Sequence, residues 1–212
     1  MDEQQRVVVF EAQTTNVREL ERAWSHVNRQ INALILRKDQ KSVEISTKLL
    51  ALIYCALAES IFSKLVHTPY GLRLGEVDQV KRATIANGVK SGWLKCAELA
   101  MKRVESAKSN HCHNVLQRLS VMIEKYIFDP SLLRNKLAHG QWSVALNRDN
   151  TAVNVDITEK IAAHTVVELY RRKNALEKLS SLIEELLAKG ALRGGFFAAG
   201  GKGGGGGRPF LA

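Results

Sequence analysis

The chain has 212 residues, 45% of them hydrophobic and 25% charged, a composition typical of one globular domain that buries a core. Its three cysteines, Cys55, Cys96 and Cys112, form no CxxC pair, which argues against a secreted disulfide framework and against a zinc ribbon. Lys and Arg outnumber Asp and Glu by 31 to 21, giving a net charge of +10. Such an excess favours a polyanionic partner, most often nucleic acid.

Targeting signals are not apparent. The first residues, MDEQQ, are acidic and polar, whereas a signal peptide begins with basic residues and continues with an apolar run. The longest apolar stretch covers residues 49–58 and is shorter than the roughly 20 residues that a membrane-spanning helix needs. We therefore expect a soluble, cytoplasmic protein without a membrane segment.

Hydrophobic residues recur every three or four positions through most of the chain, which predicts helices over about residues 15–37, 42–67, 77–105 and 111–128. The second helix is apolar nearly all round, as is typical of the middle helix of a bundle. The third is expected to break near Asn87-Gly88. A proline at position 130 then restarts the pattern, because proline is favoured in the first turn of a helix. This short helix, residues 131–138, is expected to end at Gly140.

After Gly140 the apolar spacing changes from three or four residues to two. The alternating positions are Trp142, Val144, Leu146, Val153, Val155 and Ile157. Because a polar NRDN sequence separates the two halves, the pattern predicts a small β-hairpin. The last long helix is then expected to run from an N-cap near Thr158 to about residue 189. The predicted fold class is an all-α bundle with a small β-hairpin before the last long helix.

Residues 190–212 differ in composition from the rest of the chain. They hold ten of the fifteen glycines and three basic residues, with no acid. Because glycine is costly to order, we expect a flexible basic tail after a folded domain of residues 1–189. The glycines match a G-x-G-x-x-G spacing, but a phosphate cradle also needs a preceding strand and a following helix, and neither is expected there.

Most familiar catalytic patterns are absent from the sequence, including the nucleophile elbow, the P-loop and HExxH. The sequence His111-Cys112-His113 contains metal-ligating residue types. However, helix positions one or two apart point in different directions, and no second ligand pair follows. We therefore expect neither a metal site nor a cofactor.

The segment RNKLAHG, residues 134–140, combines a permanent cation with a titratable imidazole. Along a straight helix Arg134 and His139 would point about 140° apart, so a shared cleft requires the helix to end between them, as Gly140 allows. An imidazole exchanges protons near neutral pH, and a guanidinium binds phosphate oxygens with its planar fork. An Arg and a His at such a spacing occur often by chance, so the pair gains weight only from the residues around it.

The string RNKLAHG resembles the motif of the HEPN superfamily, in which Arg and a polar residue precede a His by a few positions. The helix-breaking DPSLL before it reinforces the resemblance. The central helix, with the sequence LIYCALAESIFSKLVHTP, is similar to the second long helix of HEPN domains. The resemblance covers seven residues specifically and about residues 15–189 in architecture. It implies a HEPN-like helical bundle, a homodimer with two motifs facing one cleft, and a metal-independent endoribonuclease. Attack of a ribose 2′-OH on its own 3′-phosphate would involve Arg134, Asn135 and His139.

Further residues are secondary candidates. Glu59 lies in a strongly apolar helix, where a carboxylate is costly unless paired, so it is a candidate partner of Arg134; the alternative is an exposed or Lys-paired position. The candidate RNA contacts are Lys136, Gln141, Trp142, Arg171 and Arg172. For these the common alternatives are a core position for the tryptophan and a solvated helix face for the charges.

The biological role stays open at this point. HEPN toxins that pair with nucleotidyltransferase antitoxins tend to carry Tyr where this chain has Gln141, so silencing by nucleotide transfer is not expected here. A toxin, a phage-defence effector and a stand-alone enzyme are all compatible with the sequence, with or without an antitoxin or regulatory protein. The alternative functions are a catalytically inert module of the same fold that binds RNA or a nucleotide, and a protein-interaction module.

Overall fold

The computed structural model describes the backbone of residues 1–103 and 110–199 and the side chains of residues 1–103 and 112–188. Within these ranges the chain is mostly helical, with α1 (Glu3–Leu36), α2 (Gln40–His67), α3 (Leu74–Met101), α4 (Asn110–Ile123), a π-helical turn (Glu124–Phe128), α5 (Asp129–Ala138), α6 (Val155–Ala162) and α7 (Val166–Ala199). The all-α class is confirmed. Helix α1 begins before residue 15 because Asp2 and Gln5 form a capping box at its start.

Helix α2 is the centre of the bundle. It packs against α1, α3, α5 and α7, and Leu50, Tyr54 and Leu57 are almost completely buried. This arrangement explains why α2 is apolar nearly all round. By length and composition it is the helix in the described residues that could cross a membrane, but half of its most apolar window is buried in the protein. That burial favours the role of a core helix over that of a membrane span.

Helix α3 contains the predicted break. Asn87 and Gly88 have non-helical backbone angles, and Gly88 has a φ of 81°, which a glycine adopts without strain. Beyond the break, Trp93 is fully buried and its ring stacks on Phe62 of α2 at a centroid distance of 4.7 Å. The break thus lets the second half of α3 turn its aromatic side chain into the core.

The predicted β-hairpin is not confirmed. Leu146 and Val153 form one isolated antiparallel bridge, and Val155 and Ile157 lie in α6. The helix begins early because the side chain of Asn154 accepts a hydrogen bond from the N–H of Ile157. Residues 141–154, which connect α5 to α6, are called the arm below.

The last long helix also begins later than expected. Thr158, the predicted N-cap, lies inside α6, and its hydroxyl accepts a hydrogen bond of 3.0 Å from the N–H of Ala145. Helix α7 begins at Val166, where Thr165 accepts the N–H of Glu168. The helix continues to Ala199, so the predicted domain boundary at residue 189 falls within it; residues 200–212 of the predicted tail lie outside the described residues.

His164 lies in the short connection between α6 and α7. Its Nε2 atom is buried without a hydrogen-bond partner among the described residues. Burial and, to a smaller extent, the nearby Arg172 lower the pKa of His164, and Glu168 opposes them, so that the pKa is about 4. The imidazole is therefore neutral in the folded protein at pH values where an unfolded chain would protonate it.

We predict that His164 makes the fold sensitive to mild acid. As pH falls from 6.5 towards 4, the unfolded chain binds a proton at His164 before the folded chain does, so stability decreases over this window. Between pH 7 and pH 5, His164 is expected to lower the free energy of unfolding by about 2 kcal/mol. Urea unfolding at both pH values should show a smaller loss in His164→Gln than in the wild type. His26→Gln, at an exposed position, is the control; equal losses in all three proteins would contradict the prediction.

Candidate functional site

Helix α5 carries the RNKLAHG segment and is anchored on the centre of the bundle. Leu133 and Leu137 are buried in the core. At the start of α5, the Sγ atom of Cys55 donates a hydrogen bond of 3.5 Å to the carbonyl oxygen of Pro130. Burial raises the pKa of the Cys55 thiol to about 12, so this thiol is protonated near neutral pH.

Just before α5, the π-helical turn is also held by α2. The hydroxyl of Tyr54 donates a hydrogen bond of 2.5 Å to the carbonyl oxygen of Tyr126. A π-helical turn leaves the backbone hydrogen bonds out of the regular α register, and such turns are frequent next to functional sites. The direction in which α5 leaves the bundle is therefore set by contacts with α2.

Arg134 is joined to α2 by an ion pair. Its Nη2 atom donates a hydrogen bond to Oε1 of Glu59. The side chains are 35% and 53% exposed, respectively, so the pair contributes at most about 1 kcal/mol to stability. The guanidinium has five N–H donors, and this hydrogen bond uses one of them. Arg134 is thus oriented by Glu59 and still has donors for an anionic ligand.

Gly140 ends α5 with a Schellman motif. It has a φ of 78°, its N–H donates to the carbonyl oxygen of Leu137 at 3.1 Å, and the N–H of Gln141 donates to that of Lys136 at 2.9 Å. His139, the C-cap, has a ψ of 18° and is exposed. The helix therefore ends at Ala138 with His139 as its C-cap, next to Gly140 as the sequence predicts.

Two side chains from this region hold the arm. The amino group of Lys136 donates a hydrogen bond of 2.5 Å to the carbonyl oxygen of Leu146, and Oε1 of Gln141 accepts the N–H of Leu146 at 2.8 Å. Both residues were candidate RNA contacts, and the structure uses each of them to position the arm. The backbone of Leu146 is thereby fixed next to the end of α5.

An open groove of about 890 Å³ lies between the end of α5, the arm and the start of α6. Its lining residues are Leu132, Asn135, Lys136, His139, Gln141, Asn147, Arg148, Asn150, Asn154 and Ile157. This lining contains two permanent cations, one imidazole and five amide side chains, and it contains no carboxylate. A concave surface of this composition attracts a polyanion and offers hydrogen-bond donors and acceptors to it.

The predicted catalytic residues do not all line this groove. Asn135 and His139 line the groove, whereas Arg134 is absent from its lining and is bonded to Glu59 on α2. Within one chain, the structure thus brings the imidazole together with Asn135, Lys136 and Gln141. It does not bring the Arg134 guanidinium into the same groove.

The remaining candidate RNA contacts lie elsewhere. Trp142 donates its indole N–H to the carbonyl oxygen of Leu137 at 2.9 Å and is partly buried against the core. It lines a separate pocket of about 240 Å³ that includes His164. The Nε atom of Arg172 donates to Glu168 at 3.1 Å, and Arg171 is exposed on α7. The structure therefore does not place these three residues in the groove.

Sequence reasoning missed the contribution of the arm to this groove. The sequence pattern assigns Asn147, Arg148 and Asn150 only to a turn between two strands, and Asn154 to the second strand. The available signal was a basic residue among amide side chains shortly after the RNKLAHG segment. Hydrophobic spacing carries no information about which side of a turn faces a neighbouring helix.

Metal ligation receives no support from the described side chains. They contain no group of three or more His, Cys, Asp or Glu residues that could hold a metal ion. In the HCH sequence, Cys112 is buried and the His113 ring nitrogen Nε2 lies 3.0 Å from the side-chain nitrogen of Gln117, while the side chain of His111 lies outside the described residues.

Comparisons with known proteins add no assignment: no protein-family model, no curated protein and no solved structure matches this chain. The resemblance of RNKLAHG to the HEPN motif therefore stays a prediction.

We predict that Gly140→Ala destabilises the end of α5. A Cβ atom at this position would meet no heavy atom within 4 Å, so the cost comes from the left-handed backbone alone, about 1–2 kcal/mol. Gly140→Asn should cost less because asparagine tolerates this conformation. The free energy of unfolding, measured with urea for both variants, checks the prediction. Equal stability of the alanine variant and the wild type would contradict it.

Proposed function

We propose that this protein is a metal-independent endoribonuclease of the HEPN type that acts in the groove at the end of α5. The observation that supports the proposal most directly is the exposed imidazole of His139 in a concave, acid-free lining of cations and amides. Such a lining suits a phosphodiester backbone, whose binding is dominated by contacts of cationic groups with phosphate.

The proposed reaction is an internal transesterification. The ribose 2′-oxygen forms a bond to the adjacent 3′-phosphorus, and the bond from phosphorus to the 5′-oxygen of the next nucleotide breaks. An imidazole accepts the 2′-OH proton, and a protonated imidazole donates a proton to the leaving 5′-oxygen. His139 is the residue assigned to this proton transfer. The products are a 2′,3′-cyclic phosphate and a 5′-OH.

Arg134 and Asn135 are assigned to the phosphate. Negative charge accumulates on the non-bridging oxygens in the transition state, and preorganised donors stabilise it. Asn135 lines the groove beside His139. Arg134 retains free N–H donors but belongs to the neighbouring surface, next to Glu59. Its participation requires the substrate to extend beyond the groove, or a second copy of the chain to supply the guanidinium.

A homodimer meets both requirements of this chemistry. The reaction needs a proton acceptor and a proton donor, and each chain offers one imidazole in the groove. Two chains with their α5 ends facing each other would supply two histidines and two guanidiniums to one scissile phosphate. The homodimer is therefore part of the proposed function.

A second candidate function is RNA binding without cleavage. The specific observation in its favour is the separation of Arg134 from the groove through its ion pair with Glu59. In that case the groove would hold RNA through its cations and amides, and the Arg134–Glu59 pair would only brace α5 against α2. Cleavage assays on matched variants distinguish the two functions.

We predict that the purified chain cleaves single-stranded RNA in the presence of EDTA. His139→Ala should lower the cleavage rate by about 100-fold or more, because proton transfer by a positioned side chain contributes that much. Arg134→Ala should also lower the rate. His113→Ala, at an exposed position on α4, is the matched control and should keep the wild-type rate.

Two outcomes would contradict the enzyme assignment. RNA binding without cleavage by the wild type would support the binding module instead. Equal cleavage by His139→Ala and His113→Ala would show that the activity comes from another site or from a contaminating nuclease.

A further inference from the structure

Arg148 has no hydrogen bond or ion pair to any residue that the structure describes. Arg134 is paired with Glu59 and Arg172 with Glu168. Arg148 is exposed and lines the groove that also contains His139. Its sequence neighbour Asp149 is exposed and is not part of the groove lining.

The turn that carries Arg148 is held by its own hydrogen bonds. The N–H of Asn150 donates to the carbonyl oxygen of Asn147 at 3.3 Å, and Oδ1 of Asn147 accepts the N–H of Thr151 at 2.9 Å. Asn150 has a φ of 55°, a left-handed conformation that asparagine tolerates. These bonds close the turn, so residue 148 lies at its tip.

The turn is also fixed relative to α5 and α6. Lys136 and Gln141 bind the backbone of Leu146, immediately before the turn. After the turn, the N–H of Asn154 donates to the carbonyl oxygen of Ala145 at 2.7 Å. Because the arm is bonded on both sides of the turn, Arg148 is presented to the groove from a positioned backbone, which reduces the entropy lost when it binds a ligand.

We propose that Arg148 binds a phosphate of single-stranded RNA in this groove. The guanidinium binds two oxygens of one phosphate through its planar fork, a geometry that an ammonium group does not reproduce. The other cation of the lining, Lys136, already donates to Leu146. Arg148 is thus the groove cation whose donors are all available to a ligand.

The groove also offers amides to the bases. The side chains of Asn135 and Asn150 have no hydrogen-bond partner among the described residues, and both line the groove. Amide groups bind the edges of unpaired bases, which are accessible in single-stranded RNA and hidden in a duplex. The inference rests on the proposed function for the identity of the ligand as RNA, but it does not require that the RNA be cleaved.

The test separates binding from cleavage by using a short single-stranded RNA in which every 2′-OH is methylated, so that no 2′-oxygen attack can occur. Its affinity for the wild-type chain and for variants is measured by fluorescence anisotropy at several salt concentrations. Arg148→Ala should weaken binding about tenfold and reduce the slope of log affinity against log salt by about 1. Arg148→Lys should weaken binding less than the alanine variant does.

The matched control is Arg29→Ala, which removes the same charge from an exposed position on α1. It should change the affinity less than twofold. Equal affinities of Arg148→Ala and Arg29→Ala would overturn the inference, as would a wild-type chain that does not bind the methylated RNA.

The outcomes for the two proposals are distinguishable. If the wild type fails to cleave unmodified RNA but Arg148→Ala weakens binding as expected, the endoribonuclease assignment is wrong and the role of Arg148 stands. If the wild type cleaves RNA but Arg148→Ala binds like the control, the role of Arg148 is wrong and the enzyme assignment stands.

Discussion

The attachment of α5 to α2 is the constraint on which the candidate site depends. Helix α5 has ten residues, too few to be stable alone, so its position is set by tertiary contacts. Leu133 and Leu137 are buried, and Cys55 and Tyr54 of α2 donate hydrogen bonds to the backbone at and just before the start of α5. Because these contacts fix where α5 ends, they also fix the position of His139 and of the arm that is bonded to α5.

The parts of the fold that follow from local rules could be predicted from the sequence. The all-round apolar pattern of α2 indicated a central helix, Asn87-Gly88 indicated the break in α3, and Gly140 indicated the end of α5. The arm was different. Val153, Val155 and Ile157 alternate as a strand would, but the Asn154 side chain caps a helix from Val155. Alternation over so few positions does not distinguish a strand from a short capped helix.

The candidate site shows the same division between local and long-range information. Asn135, Lys136 and His139 are close in sequence, and they line one groove because positions three and four apart on a helix share a face. The pairing of Arg134 with Glu59 joins residues that are distant in sequence. The position of Arg148 in the groove lining depends on the path of the arm. The spacing of Arg134 and His139 therefore indicated this segment of the chain but not which cations line the groove with His139.

The central claim is that RNA bound in this groove is cleaved by attack of its own 2′-OH on the adjacent phosphate. The chemical groups at the two ends of the cut strand test this claim most directly. A defined single-stranded RNA with one deoxynucleotide at the preferred cleavage position is incubated with the protein in EDTA, alongside the all-ribose strand, and the products are analysed by mass spectrometry. The account predicts a 2′,3′-cyclic phosphate and a 5′-OH from the ribose strand and no cut at the deoxynucleotide. Cleavage at the deoxynucleotide, or products with a 3′-OH and a 5′-phosphate, would contradict it.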